Sequence, residues 1–349
     1  MDIALDNASR EKQRSRRLVA CWLFSVAALI FLMVVVGGLT RLTESGLSIT
    51  EWKPVMGAFP PMSEAHWHEE FDKYRLIPQY QLINKGMSLA EFKNIYWWEW
   101  AHRFLGRFIG VAFLVPFLVL FLRGHIEKKF APRLALLFVL GGLQGLLGWW
   151  MVKSGLTHRV DVSQYRLTAH FGLAAIIYGF IVWTALDLLR GQHTAAPSAL
   201  RRLSLLVLGV IFFQMLLGGL VAGLKAGFVY NTWPLMDGAL IPQGLFAHAP
   251  WWANFFESTL TVQFQHRVVA YVATALVFWQ WFRARSSAAA ASASWVAVVT
   301  LLQGALGVWT LLEVVPIPLG AAHQAGAMIV FTLALYHAHR LTPPAIRFL

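Results

Sequence analysis

Residues 100–122 read WAHRFLGRFIGVAFLVPFLVLFL, a run that opens on His102 and Arg103 and is apolar from there on apart from Arg107. A stretch of this length crosses the ~30 Å hydrocarbon core of a bilayer as a helix. Helix is the default because each backbone polar group then finds its partner within the segment. Similar runs recur near 19–39, 134–152, 165–189, 203–223, 262–282, 293–312 and 319–338, and together they predict eight spans in 349 residues. With 58% hydrophobic and 13% charged residues, a soluble domain is excluded. The expected fold class is an all-α polytopic membrane protein.

The formal charge of +12 would suggest nucleic acid in a soluble protein, but its distribution sets topology instead. Arg10, Lys12, Arg14, Arg16 and Arg17 precede the first span. Arg123/Lys128/Lys129/Arg133, Arg190/Arg201/Arg202, Arg283/Arg285 and Arg340/Arg347 follow the even-numbered ones. By the positive-inside rule both termini are cytoplasmic, and the long segments after spans 1 and 5 lie outside. No nucleic-acid partner is expected. The first span has full length and no small-residue cleavage pattern, and Asp2, Asp6 and Glu11 are acids that transit peptides avoid, which points to a bacterial inner membrane. Cys21 is the single cysteine and excludes an intramolecular disulfide, a thiolate cluster and covalent haem attachment through a CxxCH motif.

An internal repeat is visible. Gly37-Gly38-Leu39 recurs as Gly218-Gly219-Leu220, and the same offset aligns Gly46 with Gly227, Trp52 with Trp233, Gly57 with Gly238 and Pro61 with Pro242. His102-Arg103 answers to His266-Arg267, Gln144-Gly145 with Gly148 to Gln303-Gly304 with Gly307, and His170 to His323. Each unit holds four spans, so the second re-enters the membrane in the same orientation as the first. The expected architecture is a parallel 4+4 repeat of residues 1–195 and 196–349, joined near Gly191–Ser198. Gly141, Gly142, Gly145, Gly148, Gly218 and Gly219 read as close helix-packing positions. The outer segments, 40–99 and 224–261, read as short interfacial helices whose tryptophans form an aromatic belt.

Of twelve histidines, His66, His68, His125, His158, His193, His248, His337 and His339 fall in loops or at cytoplasmic helix ends. His102, His170, His266 and His323 instead lie a few residues inside the outer ends of even-numbered spans, at a common depth of about 6–8 Å at 1.5 Å rise per residue. Two parallel helices in each half can thus present imidazoles at one level, as bis-histidine ligation of a haem iron requires. A single intramembrane histidine would read equally well as one hydrogen-bonded to a neighbouring helix. Four in register, repeated in both halves, favour ligation because polar groups at this depth are costly. A zinc or copper site would add carboxylate, cysteine or closely spaced histidine ligands. Arg103 and Arg267 could pair with haem propionates or snorkel to lipid phosphate.

The halves differ at one acid. Glu99 precedes His102 by three residues, where Gln263 precedes His266. A carboxylate there can orient the imidazole, take a proton or stabilise developing positive charge, and it can equally be an interfacial acid at a helix N-terminus.

Glu99-Trp100-Ala101-His102-Arg103, Leu167-Thr168-Ala169-His170, Gln265-His266-Arg267 and Ala322-His323-Gln324, with the stretch Gly37–Ser48 and Thr50-Glu51-Trp52-Lys53-Pro54, resemble the heme A synthase family over nearly the whole chain. The resemblance implies oxidation of the C8 methyl of haem O to a formyl group, giving haem A for terminal oxidases, with water as the oxygen source. It implies substrate haem O between His102 and His170 and a haem b held by His266 and His323; resemblance and residue reading together make Glu99 the catalytic carboxylate, stabilising a cation or deprotonating water. Partners expected are the lipid bilayer, the farnesyltransferase that makes haem O, an electron acceptor of unknown identity and, compatibly, a second copy of the chain. The cysteine pair that some relatives carry in an outer segment is missing. Two other readings of the histidines stand beside this one, a dihaem cytochrome b that relays electrons and a haem transporter or chaperone.

Overall fold

The computed structural model describes residues 2–53, 56–157, 159–189 and 197–343. The expected join, up to Ala196, lies outside the described residues, as do Pro54, His158, Arg190, His193 and Arg347. The described chain is all helical. In order come α1 (Asp2–Leu42), α2 (Glu64–Arg75), α3 (Pro78–Leu82), α4 (Leu89–Leu122), α5 (Ala131–Lys153), α6 (Gln164–Leu189), α7 (Ser198–Gly223), α8 (Asn254–Glu257), α9 (Thr259–Ala284), α10 (Ala290–Leu312) and α11 (Ile317–Leu341). Seven of these, α1, α4, α5, α6, α7, α10 and α11, are long and apolar enough to cross a membrane. The chain is a polytopic membrane protein. Helix α9 matches them in length, but Gln263, Gln265, His266 and Arg267 make its outer third polar.

Observed helices exceed the expected spans mainly at two places. Helix α1 runs back to Asp2, and α4 begins at Leu89 rather than near residue 100. The start of α4 is fixed by a capping box in which the Ser88 hydroxyl accepts from Glu91 N while the Glu91 carboxylate takes Ser88 N at 2.8 Å. The extension projects beyond the bundle and packs on α2. Trp67, Phe71, Tyr74, Phe92 and Tyr96 form a separate aromatic core there, with Phe71 stacked on Phe92 at 4.8 Å. The outer segment 40–99 is therefore a small folded cap, and Trp67 belongs to its interior instead of to an interfacial belt. Trp52, Trp97, Trp98, Trp233, Trp251 and Trp252 do remain exposed. On the cap's rim, hydrogen bonds from Lys53 and Lys73 hold the Glu51 carboxyl below its ordinary pKa.

Helix α6 is the hub of the bundle, packing against α1, α5, α7 and α11. Lipid tails are as apolar as leucine, so helix association there relies on close backbone approach and on hydrogen bonds. Gly223 faces Gln164, Gly219 faces Thr168 and Gly172 faces Leu216, which seats α7 on α6. Across the second seam Gln324 Nε2 donates to Val34 O at 2.9 Å, lying over Gly38. Tyr178 and Thr332 share a hydrogen bond of 2.7 Å between α6 and α11. By contrast Gly141, Gly142 and Gly145 on α5 meet nothing a side chain would touch, so the expectation of close packing fails for them.

At the end of the bundle away from the cap, Asp187 is buried between Arg133 Nη1 (3.2 Å) and His339 Nε2 (2.9 Å), tying α5, α6 and α11 together. Removing one partner of a buried pair strands the others in a low-dielectric setting, at a cost of about 3–5 kcal/mol. Asp187→Ala should lower the thermal unfolding temperature in detergent clearly, while His68→Ala, on the exposed cap, should not move it.

Candidate functional site

Each of the four in-register histidines lies against a glycine of the preceding long helix. His102 on α4 meets Gly37 of α1, His170 on α6 meets Gly148 of α5, His266 on α9 meets Gly218 of α7, and His323 on α11 meets Gly307 of α10. A Cβ at these glycines would come within 3.0, 2.9, 3.4 and 2.7 Å of the respective rings. At Gly148 and Gly307 a Cβ would force the ring to shift, and at Gly37 and Gly218 it would press tightly on it. Gly37, Gly148, Gly218 and Gly307 are thus imidazole seats, a role that the reading of Gly148 and Gly218 as helix-packing positions did not contain.

Three of the seats carry a second element. One turn away on the same helix face, Gln144, Gln214 and Gln303 each send their amide Nε2 to the backbone oxygen of the seated histidine, at 2.9, 3.0 and 2.8 Å. The same nitrogen lies 3.1, 3.1 and 3.0 Å from ring Nδ1. For His170 and His266 it is also 3.5 and 3.3 Å from ring Nε2, so the amide lies over the ring face and not at one nitrogen. The imidazole is held from one side by glycine backbone and from the other by an amide. Gln144 Oε1, Gln214 Oε1 and Gln303 Oε1 are buried without a partner among the described residues. Gln214 was not among the expected residues. Its signal was the spacing Gln-x-x-x-Gly, shared by 144/148, 214/218 and 303/307.

The helices that carry paired histidines scarcely touch each other. Helices α1 and α5 separate α4 from α6, and α7 and α10 separate α9 from α11. His102 nevertheless lies within electrostatic range of His170, and His266 of His323. Each half therefore brings two seated imidazoles near one another on helices that a third helix separates. Among the described residues no cluster of three or more metal-ligating side chains is found.

Glu99 and the two arginines hold the outer segments. The Glu99 carboxylate is 2% exposed; its Oε1 takes Arg103 Nε (3.1 Å) and Nη2 (2.6 Å), and its Oε2 takes Ser48 Oγ (2.8 Å) and Ile49 N (2.7 Å). Arg103 also donates to Ile49 O and Glu51 O. In the other half Gln263 Oε1 accepts from Arg267 Nη2 at 3.2 Å, its Nε2 reaches Ala226 O and Tyr230 O, and Arg267 reaches Tyr230 O and Thr232 O. An i,i+4 pair thus clamps the irregular outer backbone on both sides. Both guanidinium groups are directed to backbone carbonyls, the use that neither propionate pairing nor snorkelling anticipates. All four lone-pair positions of the Glu99 carboxylate are filled.

A family model described as cytochrome oxidase assembly protein matches residues 20–335. The chain belongs to this family. Within it, the chain is 63% identical over 335 residues to a heme A synthase of Parvibaculum lavamentivorans, covering 96% of this chain and 97% of the relative. Heme A synthases of Bradyrhizobium diazoefficiens (56% over 330 residues, 93% and 92% covered) and Azorhizobium caulinodans (52% over 329 residues, 93% and 94% covered) are similar along their length. Neither an electron-relay cytochrome nor a haem carrier finds support among these family members.

The seats make a structural prediction independent of any ligand. Gly307→Ala, whose methyl would press on His323 Cε1, should cost about 1–3 kcal/mol by overpacking. Gly304→Ala, one turn away with open space, should stay within about 0.5 kcal/mol, both read from thermal unfolding in detergent.

Proposed function

We propose that the chain oxidises the C8 methyl of haem O to a formyl group, making haem A for terminal oxidases. The observation that carries the reading is the pair of glycine-seated imidazoles in each half, within a family whose near full-length relatives are named heme A synthase. Haem O as substrate would be held by His102 and His170. A resident haem b would be held by His266 and His323, whose rings are fixed by Gln214 and Gln303. When bound there it supplies a one-electron relay.

The conversion of CH3 to CHO takes up one water and releases four electrons and four protons, the electrons passing to an acceptor outside the chain. If His102 and His170 both held the iron during the reaction, dioxygen would find no open site there, and water would be the oxygen source. Glu99 places a carboxylate beside the His102 helix face, and its filled lone pairs suit an electrostatic role, stabilising positive charge as it develops on the substrate. To remove a proton from water it would first have to release Ser48 or Ile49. Seating of the imidazoles and anchoring of segment 48–53 are the work of the chain's own residues.

The same reading takes α9 as an eighth span, the halves 1–195 and 196–349 as parallel repeats, both termini as cytoplasmic and the four histidines as periplasm-facing in a bacterial inner membrane. It is supported by the seats recurring in the order α1/α4, α5/α6, α7/α9 and α10/α11, and by the basic residues at the far end. The long isoprenoid tail makes haem O lipid-like, so the farnesyltransferase that forms it is the natural supplier within the bilayer.

Glu99→Gln is the discriminating variant, because Gln263 already fills the equivalent clamp with a glutamine. In a host that accumulates haem O, the wild-type chain should yield a formyl-bearing pigment by mass analysis. Glu99→Gln should keep the optical spectrum of the second haem while product falls about 10²–10⁴-fold. Unchanged haem A output from that variant would remove Glu99 from the reaction, and no formyl product from the wild type would end the reading.

A further inference from the structure

One imidazole lacks the amide. The position one turn from Gly37 on α1, equivalent to Gln214 before Gly218, is Met33. Its methyl lies against Gly106 of α4, 3.1 Å from where a Cβ would be, so the side chain does occupy the space beside the His102 helix. A thioether cannot donate to a backbone oxygen or lie as a polar plate on an imidazole. Among the described residues the His102 ring makes no hydrogen bond, whereas His170, His266 and His323 are all held.

The ring also sits differently in its seat. For His170, His266 and His323 the atom nearest the glycine is Cε1, followed by Nδ1. For His102 it is Nε2 at 3.0 Å, followed by Cδ2 at 3.4 Å. His102 therefore turns its Nε2 edge toward α1, the orientation a half-turn about Cβ–Cγ would exchange with that of the others. Among the described residues no hydrogen bond to the ring opposes that half-turn, Met33 standing where the other seats carry an amide.

We propose that His102 is the exchangeable ligand of the substrate site. It is the last to bind the iron as haem O enters and the first to let go as haem A leaves, the amide-held His170 releasing second; this rests on the reading of the His102/His170 pair as the substrate site. An enzyme whose substrate and product are both six-coordinate haems must break both iron–histidine bonds in every cycle to release product, one before the other. Leaving one imidazole of four unheld fixes that order. Met33 is then a positioning residue, acting through its inability to hold His102.

The test uses the full chain in detergent, loaded with protohaem and reduced with dithionite, with carbon monoxide as the probe. A bis-histidine ferrous haem binds carbon monoxide only after one imidazole leaves, so the limiting rate at high gas concentration reports departure of the weaker ligand. Two phases are expected, the faster from the His102/His170 site by at least tenfold. His102→Ala should make that phase linear in gas concentration, which assigns it; no change on this substitution would end the reading of the site itself. With the assignment made, Met33→Gln should slow the phase at least tenfold, toward the rate of the His266/His323 site, and the reciprocal Gln214→Met should speed the latter. If Met33→Gln folds and leaves the rate unchanged, the inference is wrong. Should it not fold, an unchanged rate in Gln214→Met overturns it equally.

Discussion

The contact between an imidazole and the bare backbone of a neighbouring helix sets the rest of this structure. A histidine inside a bilayer is tolerated only when it faces protein, and here it faces protein so closely that two of the four glycines could not carry even a methyl group without displacing the ring. The seat draws each histidine-bearing helix onto its predecessor, α4 onto α1 and α9 onto α7, and so dictates which helices touch. What those contacts leave is the diagonal, between α4 and α6 and between α9 and α11, where the helices lean on shared partners and not on each other.

The second constraint lies at the outer surface. Irregular backbone at membrane depth survives only where its polar groups are met by protein, and the segments after α1 and α7 are met by an arginine and its i−4 partner. Glu99/Arg103 and Gln263/Arg267 do this work with nearly superimposable bonding logic, reaching Ile49 O and Glu51 O in one case, Tyr230 O and Thr232 O in the other. A glutamine suffices for the clamp. The glutamate therefore adds a charge that the structural task does not demand, and this surplus is the physical argument for assigning it to chemistry.

Seven of the spans were readable because 20-residue apolar runs have few alternative fates, and the four histidines stood out by their similar offsets within alternate runs. The glutamine plates were not. Gln144 and Gln303 stood in view as part of a repeat, but an amide that grips the histidine of the next helix is a contact between elements, and periodicity within one element does not report it. The glycines were misjudged for a related reason. Gly148 and Gly145 look alike in sequence, yet one faces His170 and the other faces nothing, a distinction fixed by helix rotation. The outward run of α4 escaped because Trp97, Trp98 and Trp100 mimic a membrane boundary, whereas the Ser88/Glu91 box starts the helix well before it.

Two departures from the sequence repeat then fall around the same helix segment. The acid in place of an amide (Glu99 against Gln263) lies three residues before His102, and the thioether in place of an amide (Met33 against Gln214) packs on Gly106, one turn beyond it. Independent drift would have no reason to choose the surroundings of one ring of four. Under the proposed function, a site that must bind, transform and release needs local charge and a ligand that lets go first, while a site that only relays electrons needs neither and is better served by rigid holding on both sides. The distribution of the two substitutions matches that division of labour.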